Sequence, residues 1–172
     1  GSSFTVWTSG GTVTWVEDTF TNLSHLEGKE VQILADGAVH PAQTVTSSQI
    51  QLDRFYNKVH AGLGYTSILQ PMAIELQTQY GSMRGRVKRI NEITFSFYET
   101  LGCKYGPDTD NLQTMPFRKV TDNMDEPIPL FTGERVEAFD GGYELNGDIT
   151  GVQNEPLPMT VRAIIPKVEI YG

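Results

Sequence analysis

Alternating apolar and polar residues, interrupted at short intervals by residues that favour turns, most constrain the fold of this chain. The alternation is longest in three segments between Leu23 and Gly106: LSHLEGKEVQILADGAV, KVHAGLGYTSILQPMAIELQ and RGRVKRINEITFSFYETLGCKYG. A period of two places successive side chains on opposite faces of a β-strand. Apolar residues at three- and four-residue spacing, which would indicate helices, are nearly absent. The chain is therefore predicted to be all-β.

The composition agrees with such a fold. The 172 residues include 17 glycines and 9 prolines, and aromatic residues make up 10% of the chain. Frequent turn-forming residues suit an antiparallel protein, and the aromatic side chains can fill its core without disulfides. Cys103 is the single cysteine. It cannot form an intrachain disulfide, and we expect it to be a small buried apolar side chain.

Three stretches of the chain differ in pattern. Residues 1–22 are predicted to form a hairpin around Ser9-Gly10-Gly11, as part of a truncated upstream domain. Residues 23–60 are predicted to form a small turn-rich β module in which Asp36-Gly37 joins two strands. Residues 61–172 are predicted to form a β-sandwich or barrel-like domain. No apolar run is long enough to span a bilayer, so no membrane insertion is expected.

The clearest strand in the sequence runs from Val87 to Thr100. Strict alternation places Ile93, Phe95 and Phe97 on one face with Arg89, and it places Lys88 on the other face. A strand is also predicted over 72–77 and a short extended piece over 115–120, whereas 102–113 is predicted to be a loop. Pro166, which has no amide to donate, predicts a break or an edge in the last strand.

The sequence contains no recognised catalytic or metal-binding motif. His25, His40 and His60 lack the spacing of the common zinc motifs. Asp108-Thr109-Asp110-Asn111 begins like a calcium loop, but Leu112 and Lys119 occupy positions where further oxygen ligands are required. A solvated turn is therefore predicted there. We expect neither an enzyme activity nor a cofactor.

The formal net charge of −8 disfavours a surface that grips nucleic acid, because such binding is driven by Lys and Arg displacing counterions. The dense basic cluster consists of Arg84, Arg86, Lys88 and Arg89. A strand would place the first three on one side, where they could contact phosphates or an acidic partner. The alternatives are that they guard a sheet edge or form a subunit contact. These are favoured because the rest of the chain is acidic.

Four segments taken in order carry a resemblance to a known family: HLEGKEVQILADGAVH at 25–40, KVHAGLGYTSILQPMAIEL at 58–76, GRVKRINEITFSFYETLGCKYGPD at 85–108, and the tail from PLFTGERVEAF onward. They resemble the C-terminal region of the tail nozzle proteins of short-tailed bacteriophages, of the packaged-DNA stabilisation and tail tubular B type. The resemblance covers nearly all of the chain from Leu23 to Gly172.

This resemblance implies a β-rich structural subunit that forms a homo-oligomeric ring around the DNA exit channel in the full-length protein. It implies contacts with other phage tail subunits, transient proximity to DNA without sequence specificity, and a place in the virion tail after assembly in the bacterial cytoplasm. The family carries no catalytic residues to transfer. Because a negative lining repels phosphates, the acidic residues Asp122, Asp125 and Glu126 are predicted to flank the channel.

A receptor- or carbohydrate-binding tail module is the alternative. Tyr56, Tyr65, Tyr105 and Tyr143 are predicted to be surface aromatics that could stack on sugars, although aromatic residues in β proteins more often pack in cores or across strands. A wall hydrolase is the third class, and no pair of carboxylates stands out as its acid and nucleophile.

Overall fold

Antiparallel β-strands make up nearly all of the regular structure. The computed structural model describes residues 4–5, 15–75, 77–78, 81–82, 84–123 and 126–171. Its strands are β1 (Phe4–Thr5), β2 (Trp15–Phe20), β3 (Glu30–Ala35), β4 (Ala38–Thr44), β5 (Ile50–Tyr56), β6 (Val59–Gly62), β7 (Ser67–Leu69), β8 (Gln77–Thr78), β9 (Gly81–Ser82), β10 (Val87–Thr100), β11 (Lys104–Gly106), β12 (Gln113–Thr114), β13 (Phe131–Ala138), β14 (Thr150–Gln153) and β15 (Val161–Tyr171).

Helical structure within these ranges is limited to one 3₁₀ turn, Ser24–Leu26. The prediction of an all-β fold is therefore confirmed. No helix among the described residues has the length and apolar character needed to cross a membrane.

Spatial contacts divide the chain into two units. The first covers residues 1–65 and 124–128, and the second covers residues 66–123 and 129–172. The domain boundaries expected from the sequence, after residues 22 and 60, stay predictions.

The first unit contains two three-stranded sheets, ordered β1-β2-β5 and β4-β3-β6. Phe4 lies opposite Val16, as an N-terminal hairpin requires, and the turn predicted at Ser9-Gly10-Gly11 lies outside the described residues. Apolar side chains from β3 and β5 supply most of the core, as the alternation in their sequences predicts. The buried core residues of this unit are Val31, Ile33, Ala35, Val45, Ile50, Leu52 and Tyr56.

The predicted turn at Asp36-Gly37 joins β3 to β4. Asp36 and Gly37 have φ angles of +46° and +79°, and Ala35 lies opposite Ala38. Positive φ at both central residues gives a two-residue turn the twist of the strands that it connects. A side chain at Gly37 would also come within 2.8 Å of Pro127 Cβ, so this position has no room for one.

Two carboxylates stabilise neighbouring turns of this unit through hydrogen bonds to backbone amides. Asp36 accepts hydrogen bonds from the backbone amides of Lys58, at 2.8 Å, and Asn57, at 3.1 Å. Glu27 accepts hydrogen bonds from the amides of Ser47, at 2.9 Å, and Ser48, at 2.6 Å. Both serines have positive φ, which is unfavourable for side chains with a Cβ. Charge-assisted bonds to the Glu27 carboxylate offset that strain.

The second unit contains a three-stranded sheet, β13-β10-β15, and a four-stranded sheet, β12-β11-β14-β7, besides the β8-β9 pair. Aromatic rings join the two larger sheets. The ring centroid of Phe95 on β10 lies 5.8 Å from that of Tyr105 on β11. The Phe97 centroid lies 5.6 Å from that of Phe117, which follows β12 and lies outside the strands. The Tyr105 hydroxyl donates to the Ala138 carbonyl on β13 at 3.1 Å. Facing sheets with interdigitated side chains give the unit a sandwich-like core.

The strand β10 has the predicted limits but does not alternate strictly. Ile90 pairs with Val168 on β15 and Glu92 pairs with Lys167, so Asn91 is an extra residue on β10. Such a bulge reverses which alternate positions face the core. Lys88 and Ile90 are buried before it, and Ile93, Phe95 and Phe97 are buried after it. The predicted common face for Arg89 and the buried phenylalanines is therefore wrong.

Other strand predictions are corrected in the short or irregular segments. The predicted loop over 102–113 contains β11, whose pairing with β14 builds the four-stranded sheet. Residues 72–75 do not form the predicted strand. The last strand, β15, continues without a break through Pro166, which lies opposite Ile93. Among the described strands β15 pairs with β10 alone, so Pro166 occupies an edge strand, where a missing amide is tolerated.

Replacement of Phe97 by alanine tests this description of the core. Phe97 is fully buried, whereas its neighbour Tyr98 is 48% exposed. We expect Phe97→Ala to lower the free energy of unfolding by about 3–5 kcal/mol, because it removes a ring and leaves a cavity. Tyr98→Ala should lower it by less than half as much. Urea unfolding followed by circular dichroism measures both, and equal losses would contradict the assigned faces of β10.

Candidate functional site

The four basic residues predicted to form one contact surface lie in different environments. Arg84 is exposed, and its Nη1 atom lies 3.9 Å from Glu75 Oε2. Arg86 and Arg89 are half-buried. Lys88 is only 2% exposed. The predicted exposed stripe of Arg84, Arg86 and Lys88 is therefore wrong for Lys88, and a contact role for the three arginines stays a prediction.

The bulge at Asn91 is the physical reason for this correction. It turns Lys88 toward the core, where the ammonium group donates to the Leu145 carbonyl at 2.6 Å. The backbones of Lys88 and Glu144 also exchange two hydrogen bonds, of 2.8 and 2.9 Å. Gly147, with φ +65°, lies against the lysine stem, since a Cβ there would come within 3.2 Å of Lys88 Cδ. Lys88 therefore fixes the loop that precedes β14.

Truncation of Lys88 separates this structural role from a surface role. We expect Lys88→Ala to lower the free energy of unfolding by about 2 kcal/mol or more, because it empties a buried space and removes the bond to Leu145. Lys88→Met fills the space without a charge, and it should recover most of the loss. Arg84→Ala is the matched exposed control and should change stability by less than about 0.5 kcal/mol. Urea titration that found Lys88→Ala as stable as Arg84→Ala would refute the buried role.

The acidic residues predicted to flank a channel have separate surroundings. Asp122 is half-buried, and its carboxylate accepts the Lys119 amide at 2.7 Å, which closes a turn. Glu126 is exposed. Asp125 lies outside the described residues. Their place beside a channel stays a prediction.

Of the three histidines, His40 has a polar side-chain partner. Its Nε2 atom lies 3.2 Å from Asp53 Oδ1, and its Nδ1 atom lies 3.0 Å from the Pro41 carbonyl oxygen. Tyr56 donates its hydroxyl proton to the same Asp53 oxygen at 3.0 Å. The Tyr56 hydrogen bond, and secondarily His40, lower the pKa of Asp53. The contact between His40 and Asp53 thus connects β4 to β5.

No described part of the chain assembles a group of three or more His, Cys, Asp and Glu side chains placed to hold a metal ion. His25 and His60 are exposed, on the 3₁₀ turn and on β6 respectively.

The lowered pKa of Asp53 gives a pH dependence with a defined sign. A carboxyl group with a lower pKa in the folded state contributes stability above its ordinary pKa of 3.8, and the contribution is lost as the pH falls through its folded-state pKa. We expect wild type to be more stable than Asp53→Asn near neutral pH and the difference to shrink in acid. Thermal unfolding over a pH series measures it. A difference that grew in acid would contradict the assigned hydrogen bonds.

The loop that begins like a calcium site is the hydrogen-bonded turn that the sequence predicts. Asp108 Oδ1 accepts the amides of Asp110, at 2.7 Å, and Asn111, at 2.8 Å. The Asn111 side chain, followed by these amides, lowers the pKa of Asp108. A depression of about 530 Å³ lies beside the turn, lined among others by Tyr105, Phe139 and Glu144. The carboxylates that line this depression make its wall negative, which disfavours the binding of anions.

Two of the four tyrosines considered for sugar binding are in the core. Tyr56 and Tyr105 are 7% and 4% exposed, so the prediction that they are surface platforms is wrong for them. Tyr65 and Tyr143 are exposed. Tyr143 contacts a further exposed ring, Tyr171, which sequence reasoning missed because the two residues are distant in the chain.

Cys103 is buried, as predicted. Burial raises the pKa of its thiol to about 11, so the reactive thiolate form is disfavoured at neutral pH.

No protein-family model matches the chain, and no curated protein matches it in sequence. The resemblance to phage nozzle proteins consequently depends on the four quoted segments alone and stays a prediction.

Proposed function

We propose that this chain is a non-enzymatic structural component of a bacteriophage tail, which helps to form or close the DNA exit channel and connects tail parts. The observation that carries the proposal is the order of the four segments that resemble tail nozzle proteins. Within the first of them, Glu27 and Asp36 bind the backbone amides of neighbouring turns. These polar residues thus stabilise the backbone of the module, which supports a structural role.

The charge of the chain supports a conduit for DNA. A net charge of −8 repels phosphates, and a DNA channel must let the duplex pass without retaining it. Glu126 is exposed, and Asp122 keeps its carboxylate at a surface turn. In the proposed assembly these acidic residues flank the channel. DNA passes them transiently and is not recognised by its sequence.

The proposed partners are other tail subunits and further copies of this chain in a ring of the full-length protein. Arg84, with 82% of its side chain exposed, is the most accessible of the basic residues for such a contact. The proposed location is the tail of the virion, after assembly in the cytoplasm of the bacterial host.

A nonsense mutation in the gene, propagated in a suppressor host, tests the proposal directly. In a non-suppressing host we expect heads that package DNA but lose it before or after purification, because the exit channel is not closed. Particles made in the suppressor host are the control, and mass spectrometry should detect this chain in them. Absence of the chain from purified particles, or infectious particles formed without it, would overturn the proposal.

A further inference from the structure

A group of aromatic and planar polar side chains, some exposed and some half-buried, lies at one end of the β13-β10-β15 sheet. We call it the tyrosine cluster, and it consists of Arg89 and Asn91 on β10, Glu169 and Tyr171 on β15, and Tyr143 in the loop before β14. Tyr143, Glu169 and Tyr171 are exposed, whereas Arg89 and Asn91 are half-buried. Its three exposed side chains are accessible to a ligand.

The strand register brings the cluster together. Arg89 lies opposite Glu169, and Val87 lies opposite Tyr171, across the β10–β15 pair. Because the bulge at Asn91 turns Lys88 and Ile90 toward the core, Arg89 lies on the opposite face of β10, where it is half-buried. The bridge between Lys88 and Glu144 holds the neighbouring Tyr143 beside these strands. A surface group built on paired strands is held more firmly than one built on a free loop.

The two tyrosine rings form a partly open aromatic surface. Their centroids are 4.9 Å apart with an angle of 74° between the ring planes, and Tyr143 and Tyr171 are 57% and 44% exposed. The Arg89 guanidinium carbon lies 5.4 Å from the Tyr143 centroid, over the ring. Rings fixed by such contacts lose little conformational freedom when a ligand stacks on them.

The polar groups around the rings offer both donors and acceptors. Glu169 Oε2 accepts the Tyr171 hydroxyl proton at 2.9 Å. The Tyr171 hydrogen bond, and then the Asn91 side chain, lower the pKa of Glu169, so its carboxylate is ionised at neutral pH. Arg89 presents a guanidinium donor and Asn91 an amide that both donates and accepts. Vicinal hydroxyl groups of a sugar require such planar donors and acceptors side by side.

The charges of Arg89 and Glu169 favour one class of ligand over others. Arg89 and Glu169 have opposite charges and lie opposite each other, so the cluster carries little net charge. A phosphate or sulfate would meet the Glu169 carboxylate, and a cationic ligand would meet Arg89. A neutral ligand with hydroxyl groups and an apolar ring face avoids both conflicts.

We propose that the tyrosine cluster is a carbohydrate-binding site for a neutral hexopyranose unit of a polysaccharide. The apolar face of the sugar stacks on the exposed Tyr143 ring, and its hydroxyls bind Glu169, Asn91 and Arg89. This site goes beyond a role in the DNA channel and does not depend on it.

Saturation-transfer difference NMR with methyl α-glucopyranoside, methyl β-galactopyranoside and N-acetylglucosamine tests the site on the intact chain. We expect saturation transfer to at least one of these sugars in wild type. Tyr143→Ala should abolish it, and Glu169→Gln, which keeps the side-chain shape, should weaken binding about tenfold. Tyr65→Ala is the matched control, because Tyr65 is 80% exposed and lies outside the cluster, and it should bind as wild type does.

Two results would overturn this proposal. One is the absence of saturation transfer to all three sugars in wild type, and the other is equal transfer in wild type and Tyr143→Ala. Analytical ultracentrifugation accompanies the NMR measurement. Wild-type dimers that dissociate on Tyr143→Ala, without a sugar signal, would assign the cluster to a contact between copies and refute sugar binding. Circular dichroism of each variant verifies that its fold is retained.

Discussion

Pairing of β10 on both of its edges is the constraint on which the second unit depends. β13 and β15 bond to its two sides, and Phe95 and Phe97 project from its inner face to rings beyond the three-stranded sheet. The extra residue at Asn91 then decides which residues reach the interior. Because of it, Lys88 closes the loop before β14 and Arg89 joins the tyrosine cluster. The extra residue thus decides that Lys88, and not its neighbour Arg89, is the cation that faces the core.

The first unit is stabilised in a different way, by hydrogen bonds at its turns. Its strands are short, and two carboxylates hold the turns between them. Glu27 stabilises two serines with positive φ, and Asp36 combines a tight turn with a bond to the chain between β5 and β6. Both residues belong to the segment HLEGKEVQILADGAVH, which carries part of the resemblance to nozzle proteins. These acidic residues stabilise backbone turns. The net charge alone therefore does not show which acidic residues contact a partner.

The sequence predicts strands well where alternation is long and turns are chemically distinct. The limits of β10 and the turn at Asp36-Gly37 are confirmed, and Pro166 lies on an edge strand. Alternation does not reveal the bulge, because an inserted Asn leaves no clear mark in the pattern, and a strict alternation therefore places Lys88 on the wrong face. The strand β11 is only three residues long and ends in Gly106, so its sequence resembles a loop. The tyrosine cluster depends on the β10–β15 register, which joins residues about eighty positions apart, and no local motif encodes that pairing.

Hydrogen exchange followed by NMR tests most directly the claim that β10 organises the second unit. If the claim is right, the amides from Ile93 to Phe97 exchange only through global unfolding of that unit and are its slowest. The amides of the short β8-β9 pair should exchange much faster. Exchange of the central β10 amides at rates similar to those of β8 and β9 would contradict the account.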